Sequence, residues 1–140
     1  PVDGEKHTSS NWISNSDITD RLRGMKARKI LIVSDSCYSG KLTRGIQVVP
    51  DDSRLCRSRT ALTSGDLEPV MDAGGGELSV FCEAFTWALT ENQRETSVED
   101  LFKKIKRRVR LKVDQTPTYH PIRKRGHEDG GEFYLKRIQP

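Results

Sequence analysis

The 140-residue chain has little of what would staple it, anchor it or load it with metal. Its three cysteines, Cys37, Cys56 and Cys82, form no C-x-x-C pair. An odd, scattered set argues against a disulfide scaffold and for a reducing compartment, read here as the cytoplasm. The same scatter lacks zinc-site spacing, so neither metal nor cofactor is expected. Aromatic residues make up only 6% of the chain. No apolar run is long enough to span a bilayer, and no signal-peptide pattern opens the sequence. Histidine, the commonest neutral-pH base, occurs only at His7, His120 and His127. What is plentiful is charge, at 31% of residues with a mildly basic net +4. The length suits one modest domain with its own core.

The most informative stretch runs from Lys29 to Leu42, K-I-L-I-V-S-D-S-C-Y-S-G-K-L. Ile30 to Val33 is an unbroken, β-branched apolar run, which predicts a strand buried on both faces in a parallel sheet. It stops at Ser34-Asp35-Ser36-Cys37, and Gly40 allows a tight turn. Open α/β sheets gather chemistry at the carboxyl ends of their strands, which is where Cys37 falls. A thiol there is a candidate nucleophile. The competing reading is an inert buried cysteine, and the polar neighbours on both sides argue against it. Three other motifs fail. A C-x5-R phosphatase loop needs arginine where Thr43 stands, and a phosphate-cradling loop needs glycine at Asp35 and Ser or Thr at Leu42. A hydrolase elbow needs glycine where Asp35 and Ser39 stand.

Asp35-Ser36-Cys37-Tyr38-Ser39-Gly40 resembles the D-x-C-x-S-G signature of caspase-like cysteine peptidases, specifically the metacaspases and their bacterial relatives. The P-V-D-G opening, Arg59–Gly65, Glu77–Phe81 and the closing G-H-E-D-G-G-E-F fit the same relatives in the same order. The resemblance covers nearly the whole chain. It implies an α/β, three-layer caspase-like (caspase–hemoglobinase) fold, with a mostly parallel sheet and helices on both faces. Residues 1–140 would be the C-terminal portion of the peptidase domain. The opening Pro1-Val2-Asp3-Gly4 reads as the exit from a strand. In the resembled family that strand carries the catalytic histidine, so the expectation is a native chain extending upstream, with its first strands and its base outside this sequence.

The order of elements follows from pattern. Ser14 and Ser16 are alternative N-caps for a helix carrying Ile18, Leu22 and Met25 on one face. Then come the strand to Asp35 and a short helix starting near Cys37, whose N-terminus would lower the thiol pKa. Lys41–Arg57 lacks periodicity and reads as a long mobile loop. Arg59–Thr63 is the next strand, set beside a central Ile30–Ser34. A helix from about Leu78 to Glu91 follows, with Cys82 beside its apolar stripe. Ser97-Val98-Glu99-Asp100 resembles a capping box, opening a helix with Val98, Leu101, Phe102, Ile105 and Val109 inward. Its outer face holds Lys103, Lys104, Lys106, Arg107, Arg108 and Arg110. That is the ordinary solvated face of an amphipathic helix, and without aromatic interleaving nucleic acid is disfavoured as a partner. Thr116–Ile122 is extended, and Glu132–Ile138 alternates as a last strand.

A cysteine peptidase needs a thiolate, a base and oxyanion donors. Cys37 supplies the thiol and its own N–H one donor. The caspase pattern sets the base about 50 residues before the cysteine, which here precedes Pro1. His7, His120 and His127 read better as loop or structural residues. Asp35 reads either as a helix cap or, by the resemblance, as the carboxylate lining a pocket for a P1 Arg or Lys. Ser64 and Asp66 would flank that pocket. The expected partners are protein or peptide substrates with a basic P1 residue and the upstream part of the same protein. The same family keeps self-cleavage between the cysteine strand and the next, which makes Arg44, Arg54 and Arg57 candidate autocleavage sites. The alternative function is a caspase-like module without activity, serving as a scaffold or regulated partner.

Overall fold

The computed structural model describes residues 13–36, 54–65, 78–123 and 126–138. Helix α1 spans Asn15–Gly24, and its N-cap is Ser14. The Ser14 hydroxyl accepts from Asp17 N–H at 3.0 Å, and Ser14 N–H returns a bond to the Asp17 carboxylate. This reciprocal box satisfies two donors that a helix start leaves open. Strand β1 follows at Lys29–Ser34, and β2 at Ser58–Thr63. Helix α2 is Val80–Thr90, strand β3 is Thr96–Ser97, and helix α3 is Val98–Lys112. The chain closes with β4 at Thr118–Pro121 and β5 at Tyr134–Leu135.

Among the described residues the main sheet has the order β1-β2-β4. β1 and β2 run parallel, with Lys29 opposite Ser58 and Ser34 opposite Thr63. β2 and β4 run antiparallel, with Thr60 opposite Pro121 and Thr63 opposite Thr118. β3 and β5 make a separate two-stranded antiparallel ribbon, so the expected last strand shrinks to two residues. Two expectations are met only in part among the described residues. The described sheet is mixed, with one parallel and one antiparallel pairing. The strand at its centre is β2, while β1 lies at an edge of the described sheet and leaves Val33 40% exposed.

Polar composition hid the centre. β2 reads S-R-T-A-L-T, yet all six residues are buried. Burial of such groups is costly without partners; Ser58 Oγ has none, whereas Arg59 and Thr63 are well supplied. The Arg59 guanidinium donates to the carbonyls of Met25, Arg28 and Ser58 at 3.1–3.2 Å, tying the α1–β1 connection to β2. Thr63 Oγ1 lies 2.7 Å from Thr118 Oγ1 and donates to Gly65 O at 3.1 Å.

Side chains alternate across a strand, so Ala61 and Leu62 serve opposite faces. Leu62 and Tyr119 pack with Val80, Phe81, Ala84 and Ala88 of α2 and with Leu101, Ile105 and Val109 of α3. Ala61 and Ile122 pack with Leu22 of α1, flanked by Ile30 and Ile32. The larger cluster dominates the core: full burial of a side chain such as Leu101 or Ile105 contributes roughly 1.5–3 kcal/mol. On the outside of α3, Lys103 pairs with Asp100 at 2.9 Å, and Lys112 with Glu83 of α2 at 2.6 Å. The Arg108 guanidinium sits 4.3 Å from the centre of the Trp87 ring.

Candidate functional site

Parallel pairing brings the carboxyl ends of β1 and β2 to the same side of the sheet. β1 ends at Ser34 and continues into Asp35 and Ser36, the last described residues before Cys37. β2 ends at Thr63 and continues into Ser64. Ser64 N–H donates to Ser34 O at 3.0 Å, extending the ladder one step past both strands. Ser36 N–H then donates to Ser64 Oγ at 3.2 Å, and the hydroxyls of Ser34 and Ser36 are 3.0 Å apart. The turn into the cysteine is thereby pinned to the central strand.

Asp35 and Ser36 are exposed, whereas Ser64 is fully buried. Its hydroxyl receives the Ser36 amide, and its carbonyl accepts from Gln115 Nε2 at 2.5 Å. Gln115 stands in the connection between α3 and β4 and is itself buried. The Asp35 carboxylate accepts a hydrogen bond from Ser79, the N-cap residue of α2. Two chain segments thus hold Asp35–Ser36, the end of β2 and the start of α2, and the approach to β4 braces Ser64 behind them.

The sequence reading singled out Asp35 and Ser64, and both stand at this convergence. Cys37, Asp66, Arg44 and His7 lie outside the described residues. Ser79 and Gln115 were missed. Ser79 carried a usable signal, a serine directly before an apolar helical run. Gln115 carried none, because its role exists only once α3 and β4 are folded onto β2.

The two described histidines stand elsewhere. His127 Nδ1 accepts from Arg59 N–H at 3.1 Å, near the start of β2. Arg59 and Ser64 are five strand steps apart, about 16 Å at the usual rise. Burial holds the His127 pKa below its ordinary 6.5, which keeps the ring neutral and fits the accepting role of Nδ1. His120 lies within β4, paired in register with Ala61. Neither ring stands at the carboxyl ends of β1 and β2.

The candidate cleavage arginines differ in their settings. Arg54 is exposed, ion-paired with Glu95 at 2.6 Å and stacked 4.8 Å from the Tyr134 ring centre. Arg57 has its N–H bonded to Glu128 Oε2 at 2.6 Å and its carbonyl accepting from Glu128 N–H at 3.0 Å. The next residue, Ser58, is buried and already in β2.

A protein-family model described as the caspase domain matches residues 1–125. No curated protein and no solved structure matches the chain.

Proposed function

The chain belongs to the caspase-domain family, a family of cysteine peptidases, and from that premise we propose that it is an endopeptidase cutting after Arg or Lys, with Cys37 as nucleophile. The supporting observation is the fixed, exposed Asp35 at the joint carboxyl ends of two parallel strands, two residues before that cysteine. A carboxylate in that position attracts a cationic P1 side chain and sets the scissile carbonyl near the thiol. The Cys37 thiolate adds to that carbonyl, the amine leaves with a proton from the base, and water then releases the acyl group and regenerates the thiol. The base is a histidine outside the described residues. The resemblance puts it upstream of Pro1, and His7 is the other candidate. Ser64 contributes by holding the Asp35–Ser36 turn, and Asp66 flanks the pocket.

Fluorogenic peptides differing only at P1 test this reading in the active protein. Cys37→Ala abolishes turnover with little change in thermal stability. Asp35→Asn keeps the shape, removes the charge and lowers kcat/KM on Arg and Lys substrates roughly tenfold to a hundredfold, since a charge-assisted contact is worth ~1.5–3 kcal/mol. A preference for Asp at P1 would sink the assignment. Absence of turnover in the native protein, with its histidine in place, would favour the inactive-module reading instead.

Self-cleavage is proposed for the segment between β1 and β2, after Arg44, Arg54 or Arg57. Proteases need an extended, accessible strand of substrate. Arg57 meets that need least, because its peptide is bonded to Glu128 and its P1′ residue is buried. Cleavage after the exposed Arg54 therefore precedes cleavage after Arg57. Mass spectrometry of wild type beside Cys37→Ala reads this order. Equal cutting of the inactive variant would rule out self-processing.

A further inference from the structure

Asp35 and Ser79 are distant in sequence, yet the Ser79 hydroxyl donates to Asp35 Oδ2. Ser79 Oγ in turn accepts from Cys82 N–H at 2.9 Å, so the hydroxyl's proton and a lone pair are both assigned. Ser79 caps a helix whose first turns bury Val80, Phe81 and Ala84 in the core. The donor is therefore mounted on a rigid element rather than a free loop. On the opposite side, Ser64 grips the Ser36 amide, and Gln115 grips the Ser64 carbonyl. The Asp35 backbone is thus held toward β2, and its carboxylate is held toward α2.

We propose that Ser79 is a positioning residue for P1 selection, orienting the Asp35 carboxylate so that Oδ1 faces the cationic side chain of the substrate. The inference rests on the reading of Asp35 as the P1 carboxylate. An exposed aspartate without a partner samples several rotamers and loses that freedom on binding. One already fixed does not, so affinity for the charged side chain rises. A hydroxyl is suited to the task because it orients the carboxylate without neutralising it. A lysine or arginine in its place would consume the charge that the substrate needs.

The test separates the hydroxyl's donor role from its helix-capping role. Glycine is nearly as good an N-cap as serine, so Ser79→Gly removes the donor and nearly keeps the cap. Ser79→Thr keeps both. Ser79→Ala is a second donorless variant should the glycine variant fold poorly. In the active enzyme, with a fluorogenic peptide carrying arginine at P1, Ser79→Gly is expected to raise KM about tenfold while kcat changes less than about threefold. Ser79→Thr recovers most of the loss. A purely structural role would instead lower kcat and thermal stability together in Ser79→Gly, and threonine would then restore stability and kcat rather than KM. The double variant Asp35→Asn/Ser79→Gly should be no worse than Asp35→Asn alone, because residues acting through one group are not additive. Full additivity, or an unchanged KM in Ser79→Gly where Asp35→Asn is impaired, would overturn the positioning role. An Asp35→Asn enzyme with unaltered P1 selectivity would instead remove the reading of Asp35, and this inference with it.

Discussion

Glu132 illustrates how a single buried acid ties stability to pH. It is almost fully buried, and its Oε1 accepts from Tyr119 OH and from Phe133 N–H, both at 2.7 Å. Lys29 Nζ binds its backbone carbonyl at 2.8 Å. Burial raises the Glu132 pKa above its ordinary 4.5, against the opposing pull of the Tyr119 and Phe133 donors. A carboxyl group with a raised folded-state pKa stabilises the fold below its unfolded value. That contribution drains away as pH rises from about 4.5 through the folded pKa. Glu132→Gln retains an acceptor for Tyr119 and cannot ionise. Its urea midpoint relative to wild type should therefore climb steadily with pH above 4.5. Two parallel midpoint curves would show that Glu132 does not titrate differently in the fold. The opposing contribution of His127, whose lowered pKa destabilises the fold as pH falls below 6.5, is common to both proteins and cancels in the difference.

At the scale of elements, the junction of the last turn with the start of β2 is tightly closed. A Cβ on Gly131 would collide with the carbonyl of Arg57, while Gly131 N–H is bonded to Glu128 O at 2.9 Å. The obstacle is backbone on both sides, so it cannot swing away. Gly131→Ala should cost about 1–3 kcal/mol and should loosen the Arg57–Glu128 pairing first. Faster amide exchange at Arg57 and Glu128 than in the body of β2 would show this. A wild-type urea midpoint would argue against the clash. The same junction explains what sequence could and could not convey. Helices α2 and α3 were legible because their apolar residues recur at helical spacing, and α3 also because a serine cap precedes it. Asp35 was named from the local motif around Cys37 and Ser64 from the family resemblance, and the structure sets both at the carboxyl ends of β1 and β2. The sheet order was not legible. Apolar content marked β1 as central, but in the described sheet β2 lies between its neighbours, with Arg59 and Thr63 bonded to Met25, Arg28 and Thr118 from other segments and Ser58 Oγ buried without a partner. Hydrophobicity reports burial only when polar groups lack such partners. Ser79 and Gln115 belong to the same class, because their partners are distant in sequence.

At the scale of the whole molecule, the position of β2 has a kinetic consequence. Its registers join Lys29 to Ser58 on one side and Thr60 to Pro121 on the other. Both pairings close long loops before any contact rewards them, and such topology slows folding. The α2–α3 pair is the opposite case, two helices joined through residues 91–97 and sharing one apolar seam. It should assemble early and offer β2 a surface to settle on, making the most buried strand among the last parts to become native. In stopped-flow refolding, Val109→Ala should slow folding in proportion to the stability it removes. Ala61→Gly in β2 should act mainly by speeding unfolding. The reverse pattern would put the strand in the nucleus. If the helices do lead, the turn that carries Asp35 toward Cys37 stays unformed until the final docking of β2. Under the proposed P1 reading, a nascent chain then passes through most of its folding before its recognition turn exists, so self-processing would follow folding rather than accompany it.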